Sequence, residues 1–207
     1  MASEDRDATR VRKVPLSRPE RRREVLAAVL ALLAEVGYER MTMDLVARRA
    51  RASKSTIYQH WPTKARLVVD AIEQHWDQPT DPDTGEFLED LRRLIGAWLG
   101  SWVALDHRVL IAVIEGGRGD AELAQLRRER LRGPVNDAAA RINARARERG
   151  ELPASVDALL LVEMTFAKLL VNLMLDDAVP DSVLIDRVID DVLAPLLRDG
   201  RSGRGSV

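Results

Sequence analysis

Six polar side chains stand within seven consecutive positions of this chain: Lys54, Ser55, Thr56, Tyr58, Gln59 and His60. Their hydroxyl, amide, imidazole and ammonium groups are the types that reach base edges and phosphates. A second group is mostly apolar. Trp98 and Trp102, four residues apart and so on one helix face, could join Phe166 in lining a cavity for an apolar or aromatic ligand. His107 and Glu115 would be its polar contacts, with Phe87, Met164 and Met174 as further lining. Core packing explains the apolar members equally well, and an ordinary surface position explains His107 and Glu115. The pattern for catalysis is poor. His60, His75 and His107 lack metal-ligand spacing, and Gly116-Gly117-Arg118-Gly119 lacks the Lys-Ser/Thr that continues a phosphate loop. With no cysteine, thiol catalysis, disulfides and zinc-thiolate sites are excluded. No enzyme activity, cofactor or metal is expected.

Two short helices must position the first group. Thr42 is placed as an N-cap, with Val46, Ala47 and Ala50 following at helical spacing. Ser53 caps a second helix whose inner face carries Ile57 and Trp61, leaving Lys54, Ser55, Tyr58 and Gln59 outside and Thr56 and His60 at the flanks. Small alanines at 47 and 50 let the helices cross closely, as a helix-turn-helix over 42–61 requires. Trp61 reads as a core residue closing this head.

The series Thr42, Val46-Ala47, Ala50-Arg51-Ala52-Ser53-Lys54, Thr56-Ile57-Tyr58, Trp61 and Lys64 resembles the DNA-binding motif of the TetR family of bacterial transcriptional regulators. The match is specific over the first third of the chain and loose beyond it. The resemblance implies that Thr42, Tyr58, His60 and Lys64 hold phosphates, that Lys54, Ser55, Thr56 and Gln59 face bases, and that the cap Ser53 belongs to the same surface. It departs from the family at Arg51, where a turn glycine is usual. A left-handed Arg51 would carry strain of roughly 1–2 kcal/mol.

The 207 residues are 46% hydrophobic and 31% charged, enough to bury a core. The net charge of −1 conceals a division. Residues 6–66 hold 15 basic against 6 acidic side chains, the balance of a polyanion-binding head. Residues 1–16 read as a flexible basic arm, suited to phosphates or a minor groove and equally to a tail without defined contacts. Their charged start predicts no secretory signal, hence a cytoplasmic protein. The head spans 17–78. Ser17 to Glu20 reads as a capping box for a first helix that Gly37 ends, and Pro62-Thr63 opens a fourth helix. Arg21 to Arg23 are possible backbone contacts. The Pro- and Asp-rich stretch 78–85 is the expected boundary.

Residues 86–198 read as helical throughout, with 199–207 a flexible tail. Asp83 to Glu86 is a second capping box, and a shorter helix from about Arg108 is expected to stop at Gly116-Gly117. The stretch 120–149 reads as one long helix interrupted at Gly133-Pro134 and closed by Gly150. Ser155 and Asp181 are expected caps for the last two helices. The segment 156–175 is apolar nearly all round, but Glu163 and Lys168 near its centre argue against a membrane span, each costing roughly 2.5–3.5 kcal/mol. A buried helix at a subunit interface fits better, giving a homodimer through about 156–198.

The expected fold is all-α: an N-terminal helix-turn-helix DNA-binding domain and a C-terminal helical domain for ligand binding and dimerisation. The expected function is a ligand-responsive, dimeric regulator, a repressor by family habit, that binds a palindromic operator and is released by a small apolar effector. The alternatives are a constitutive DNA-binding protein whose C-terminal part only dimerises and, more distantly, an all-helical small-molecule enzyme.

Overall fold

A computed structural model describes residues 18–76, 81–152, 158–175, 182–195 and 197. The expected basic arm, the tail, and the caps at Ser17, Ser155 and Asp181 lie outside them. Among the described residues there are helices and no strands. Helix α1 (Pro19–Arg40) opens on a proline, whose fixed φ suits the first turn. Arg18 precedes it without a side-chain cap. Gly37, at φ +76°, breaks its regular path as anticipated, but Tyr38–Arg40 add one further turn.

Helix α2 (Met43–Arg49), α3 (Lys54–His60) and α4 (Lys64–Glu73) each begin on a hydroxyl cap. Thr42 accepts from the Leu45 N–H at 3.2 Å, Ser53 from Thr56 at 3.1 Å and Thr63 from Arg66 at 3.2 Å. Each bond satisfies a donor that the first turn leaves open. Val25, Leu26, Val29, Leu33, Val46 and Ile57 close the head with almost no exposure. Truncating such a leucine costs about 2–5 kcal/mol.

Helix α5 (Phe87–Val103) lacks the expected Asp83 capping box. The approach is fixed instead by Asp90, which is fully buried and accepts from the Thr84 N–H at 2.6 Å and the Thr84 hydroxyl at 2.8 Å. Glu151 takes the Phe87 N–H at 2.6 Å. Helix α6 (His107–Gly119) also departs from expectation, running straight through Gly116 and Gly117. Gly116 is there for contact: a Cβ built on it would lie 2.4 Å from the ring of Tyr38. The glycine marks a close helix crossing, not a stop.

Helix α7 (Ala121–Leu126) continues through a π-helical stretch, Arg127–Arg132, into α8 (Gly133–Glu148). Pro134 has no N–H and its ring would strike the carbonyl four residues back. The widened turn accommodates it, so the helix swells where an interruption was expected. Gly150, at φ +72°, closes α8. Helix α9 (Ala158–Leu175) and α10 (Ser182–Arg187), the latter extended by a π-helical stretch Val188–Leu193, complete the fold. The head and the C-terminal helices share one continuous buried cluster, with α1 lying along α6 and α4.

Candidate nucleic-acid interface and effector cavity

The turn before α3 holds the motif's one departure. Arg51 has φ +50°, the left-handed conformation. The Arg51 N–H donates to the Arg48 carbonyl at 3.2 Å and the Ala52 N–H to the Ala47 carbonyl at 2.9 Å, the paired bonds of a Schellman ending. Arg21 donates to the Arg51 carbonyl at 2.8 Å and also to that of Ala50. The arginine is therefore tolerated where glycine would be unstrained. Arg21 is a brace, as is Arg22, which pairs with Asp70 at 2.7 Å; of the three expected at the DNA backbone, Arg23 alone stands exposed without such a bond.

Ile57 anchors α3 to the core, and Trp61 closes it from below, its indole N–H donating to Asp70 at 2.8 Å. Lys54, Ser55, Tyr58, Gln59 and His60 are exposed together on the opposite face, with Thr56 half-buried. Lys54 pairs with Asp44 of α2 at 2.9 Å. This contact stabilises its positive charge, the Asp44 hydrogen bond and charge together raising its pKa. The hydroxyls of Ser53 and Thr56 bond each other, and His60 Nδ1 lies 3.1 Å from the Thr56 carbonyl. Thr42 is exposed at the start of α2. Lys64, at the start of α4, also has contacts within the chain. Its ammonium sits 3.9 Å from the centre of the Tyr38 ring and donates to the Tyr38 carbonyl at 3.0 Å.

Tyr38 is a junction in its own right. Its hydroxyl donates to Asp120 at 2.5 Å. Burial, then this bond and nearby carboxylates, push the phenol far above its ordinary value. Burial opposes the charge of Asp120, but Tyr38 and the N–H groups of Leu123 and Glu122 outweigh it and hold its pKa below the ordinary carboxylate value.

The second candidate site is a cavity of about 230 Å³ among α5, α6, the Arg127–Arg132 stretch and α9. Trp98, Trp102 and Phe166 line it as expected. Trp98 and Phe166 have ring centres 4.6 Å apart, and Trp102 meets Trp76 edge-on at 5.4 Å. His107 and Glu115 do not line it: both are exposed, with His107 3.9 Å from Asp106. Met164 is exposed and Phe87 is buried elsewhere, while the side chain of Met174 lies outside the described residues. The polar contribution comes instead from Arg127, Arg128 and Arg132, and Trp76 adds an aromatic wall. The sequence signal that points to these arginines is their density in Arg127-Arg128-Glu129-Arg130-Leu131-Arg132.

Among the described residues no group of three or more acidic or histidine side chains could hold a metal ion. No single helix among them is long and apolar enough to cross a membrane.

An exposed polar helix on a capped helix-turn-helix, joined to a helical domain with its own cavity, is the architecture of a DNA-binding transcriptional regulator. Residues 25–71 match the family described as bacterial regulatory proteins, tetR family, and residues 81–192 match the tetracyclin repressor-like C-terminal domain. The DNA-binding transcriptional repressor TetR of Mycobacteroides abscessus is 35% identical over 178 residues, 85% of this chain and 93% of that one. A solved TetR family transcription regulator is 30% identical, with a TM-score of 0.59 over 84% of this chain and 97% of its own. The fold is also that of FadR from Bacillus subtilis in complex with stearoyl-CoA, at TM-score 0.66 and 19% identity over 86% and 97% of the two chains. The chain belongs to the TetR family of ligand-responsive, DNA-binding transcriptional regulators.

Proposed function

We propose that the protein acts in the cytoplasm as a homodimeric repressor, setting one α3 into each of two major grooves of a palindromic operator and leaving it when a small apolar ligand fills the cavity. The observation that carries this reading is the outer face of α3. Lys54, Ser55, Tyr58, Gln59 and His60 are exposed together while Ile57 fixes the helix to the core. Lys54, Ser55, Thr56 and Gln59 face bases; Thr42, Tyr58, His60 and Lys64 take phosphates, with Ser53 holding the helix start among them. Lys54 is released from Asp44 at small cost, since both side chains of the pair are exposed to water.

Dimerisation is supported by what a single chain leaves uncovered. Leu160, Met164, Ala167 and Val171 recur at three- and four-residue spacing on α9 and are exposed together. Val183 and Val192 are exposed on the last helix. A second copy removes this surface from water. The repressor name carried by the Mycobacteroides abscessus relative supports the sign of regulation.

Selection of duplexes from a random pool, followed by titration of the recovered site, tests the reading. A palindrome occupied by two chains, with affinity falling steeply as salt rises, is expected. Recovery of no preferred duplex, or a site bound by one chain, overturns it.

A further inference from the structure

The cavity is aromatic, yet its charged groups all have one sign. Trp98 and Trp102 are more than nine-tenths buried and form part of its aromatic wall. Arg127, Arg128 and Arg132 complete the wall, and among the described residues no carboxylate lines it. Arg132 is engaged by Glu163 from α9. The charges acting on half-buried Arg127 are those of Arg128 and Arg132, which add to burial in disfavouring its cationic form. Guanidinium stays protonated in proteins, so among the described residues Arg127 and Arg128 keep positive charge beside an apolar cavity without the carboxylate that Arg132 has.

We propose that the ligand of this cavity is an organic oxyanion: a compact apolar body lying against Trp98, Trp102 and Phe166, with a carboxylate or phosphate held by Arg127 and Arg128. This rests on the reading of the cavity as the effector site and narrows the effector from an apolar molecule to an apolar anion. A planar carboxylate or a phosphate matches the guanidinium fork. At about 230 Å³ the space lies below the roughly 300–1,000 Å³ of drug-sized sites, so the enclosed body is one ring system or a short chain. Neutralising the arginines also removes their mutual repulsion, so the gain on binding is local to the Arg127–Arg132 stretch.

Calorimetry with matched probes tests this on the full-length protein. The panel is benzoate, naphthalene-2-carboxylate and octanoate, each against its primary amide, with 2-naphthyl phosphate as a further arm. At least one carboxylate or the phosphate is expected to bind about tenfold or more tightly than its neutral counterpart (2-naphthol for the phosphate). Arg127→Gln and Arg128→Gln should erase that preference while leaving binding of the neutral partner within about threefold, which also reports that the cavity is folded. A phosphate preference above that of every carboxylate assigns the headgroup as phosphate. Equal binding within every pair, or no binding by any anion at millimolar concentration, overturns the proposal. Operator titration keeps the two readings apart. An anion that binds with charge preference yet leaves operator affinity unchanged upholds the oxyanion site and overturns effector control.

Discussion

Arg130 and Asp70 are 2.8 Å apart and join the C-terminal domain to the head. Arg130 lies on the same π-helical stretch as the cavity arginines and also grips Glu73, with its Nε at 2.8 Å. Asp70, on α4, simultaneously accepts from the indole of Trp61, directly after α3, and from Arg22 of α1. One carboxylate thus touches the effector side, the scaffold helix and the end of the recognition helix.

Arg130→Gln should therefore uncouple the sites more than it unfolds the protein. Asp70 keeps Arg22 and Trp61, and the pair is partly exposed, so the stability loss is about 1 kcal/mol or less. A ligand that weakens the operator by roughly 5–150-fold in the unmodified protein should change it by less than about threefold in the variant. Paired operator titrations with and without ligand measure this, and an unchanged coupling factor removes Arg130 from the path.

Lys54→Ala and Tyr58→Ala should each weaken operator binding by about 1–3 kcal/mol, with circular dichroism unaltered. Tyr58 is 43% exposed, and Lys54 spans solvent to reach Asp44, so neither supports the core. The Tyr58 loss should be uniform across sequences, and the Lys54 loss concentrated at one base position. Wild-type affinity in both variants means that α3 does not read the DNA.

The Tyr38–Asp120 bond predicts a pH response. Asp120 has a folded-state pKa lowered from its ordinary value, so the folded protein binds fewer protons there than the unfolded chain. Its contribution is fully present above the ordinary carboxylate value and disappears as pH falls through the lower folded value. Asp120→Asn retains an acceptor for the Leu123 N–H and so isolates the charge. Urea unfolding from pH 6 to pH 3 should show the stability gap between wild type and variant narrowing toward acid. A constant gap across that range refutes the assignment.

The exposed stripe on α9 separates two aspartate substitutions. Val171 is 46% exposed and Leu193 only 1%. Val171→Asp should keep its helical spectrum and shift light scattering from dimer to monomer. Leu193→Asp, burying an unpaired charge inside the protomer, should unfold or aggregate. A Val171→Asp protein that remains a stable dimer places the interface elsewhere.

What was legible beforehand was local. Thr42, Ser53 and Thr63 announce helix starts because a hydroxyl meets an N–H three residues on, and Ile57 and Trp61 announce a buried face by spacing alone. What was missed depended on distant partners. Gly116 looks like a stop signal until Tyr38, 78 positions earlier in the chain, is seen to lie against it. Asp83 looks like a cap, but Asp90 had already claimed Thr84 from inside the core. Composition leaves His107 and Glu115 open between a cavity contact and an ordinary surface position, and the surface position holds because the face a helix presents is set by its crossing with neighbours. The cavity arginines are hard to place from sequence for the converse reason, since charges on a helix ordinarily face water.

The Tyr38–Gly116 contact has a mechanical consequence. Ring meets backbone there with no room for another atom, while on the other side α4 meets the C-terminal helices through packing and the Arg130 ion pairs. The α1–α6 crossing therefore cannot slide, and any change in the attitude of the head must turn about it. Such a turn makes the head a short lever. In a symmetric pair the two levers move oppositely, so a small rotation at each pivot is doubled in the gap between them. The spacing of the DNA grooves is the gauge against which that gap is measured.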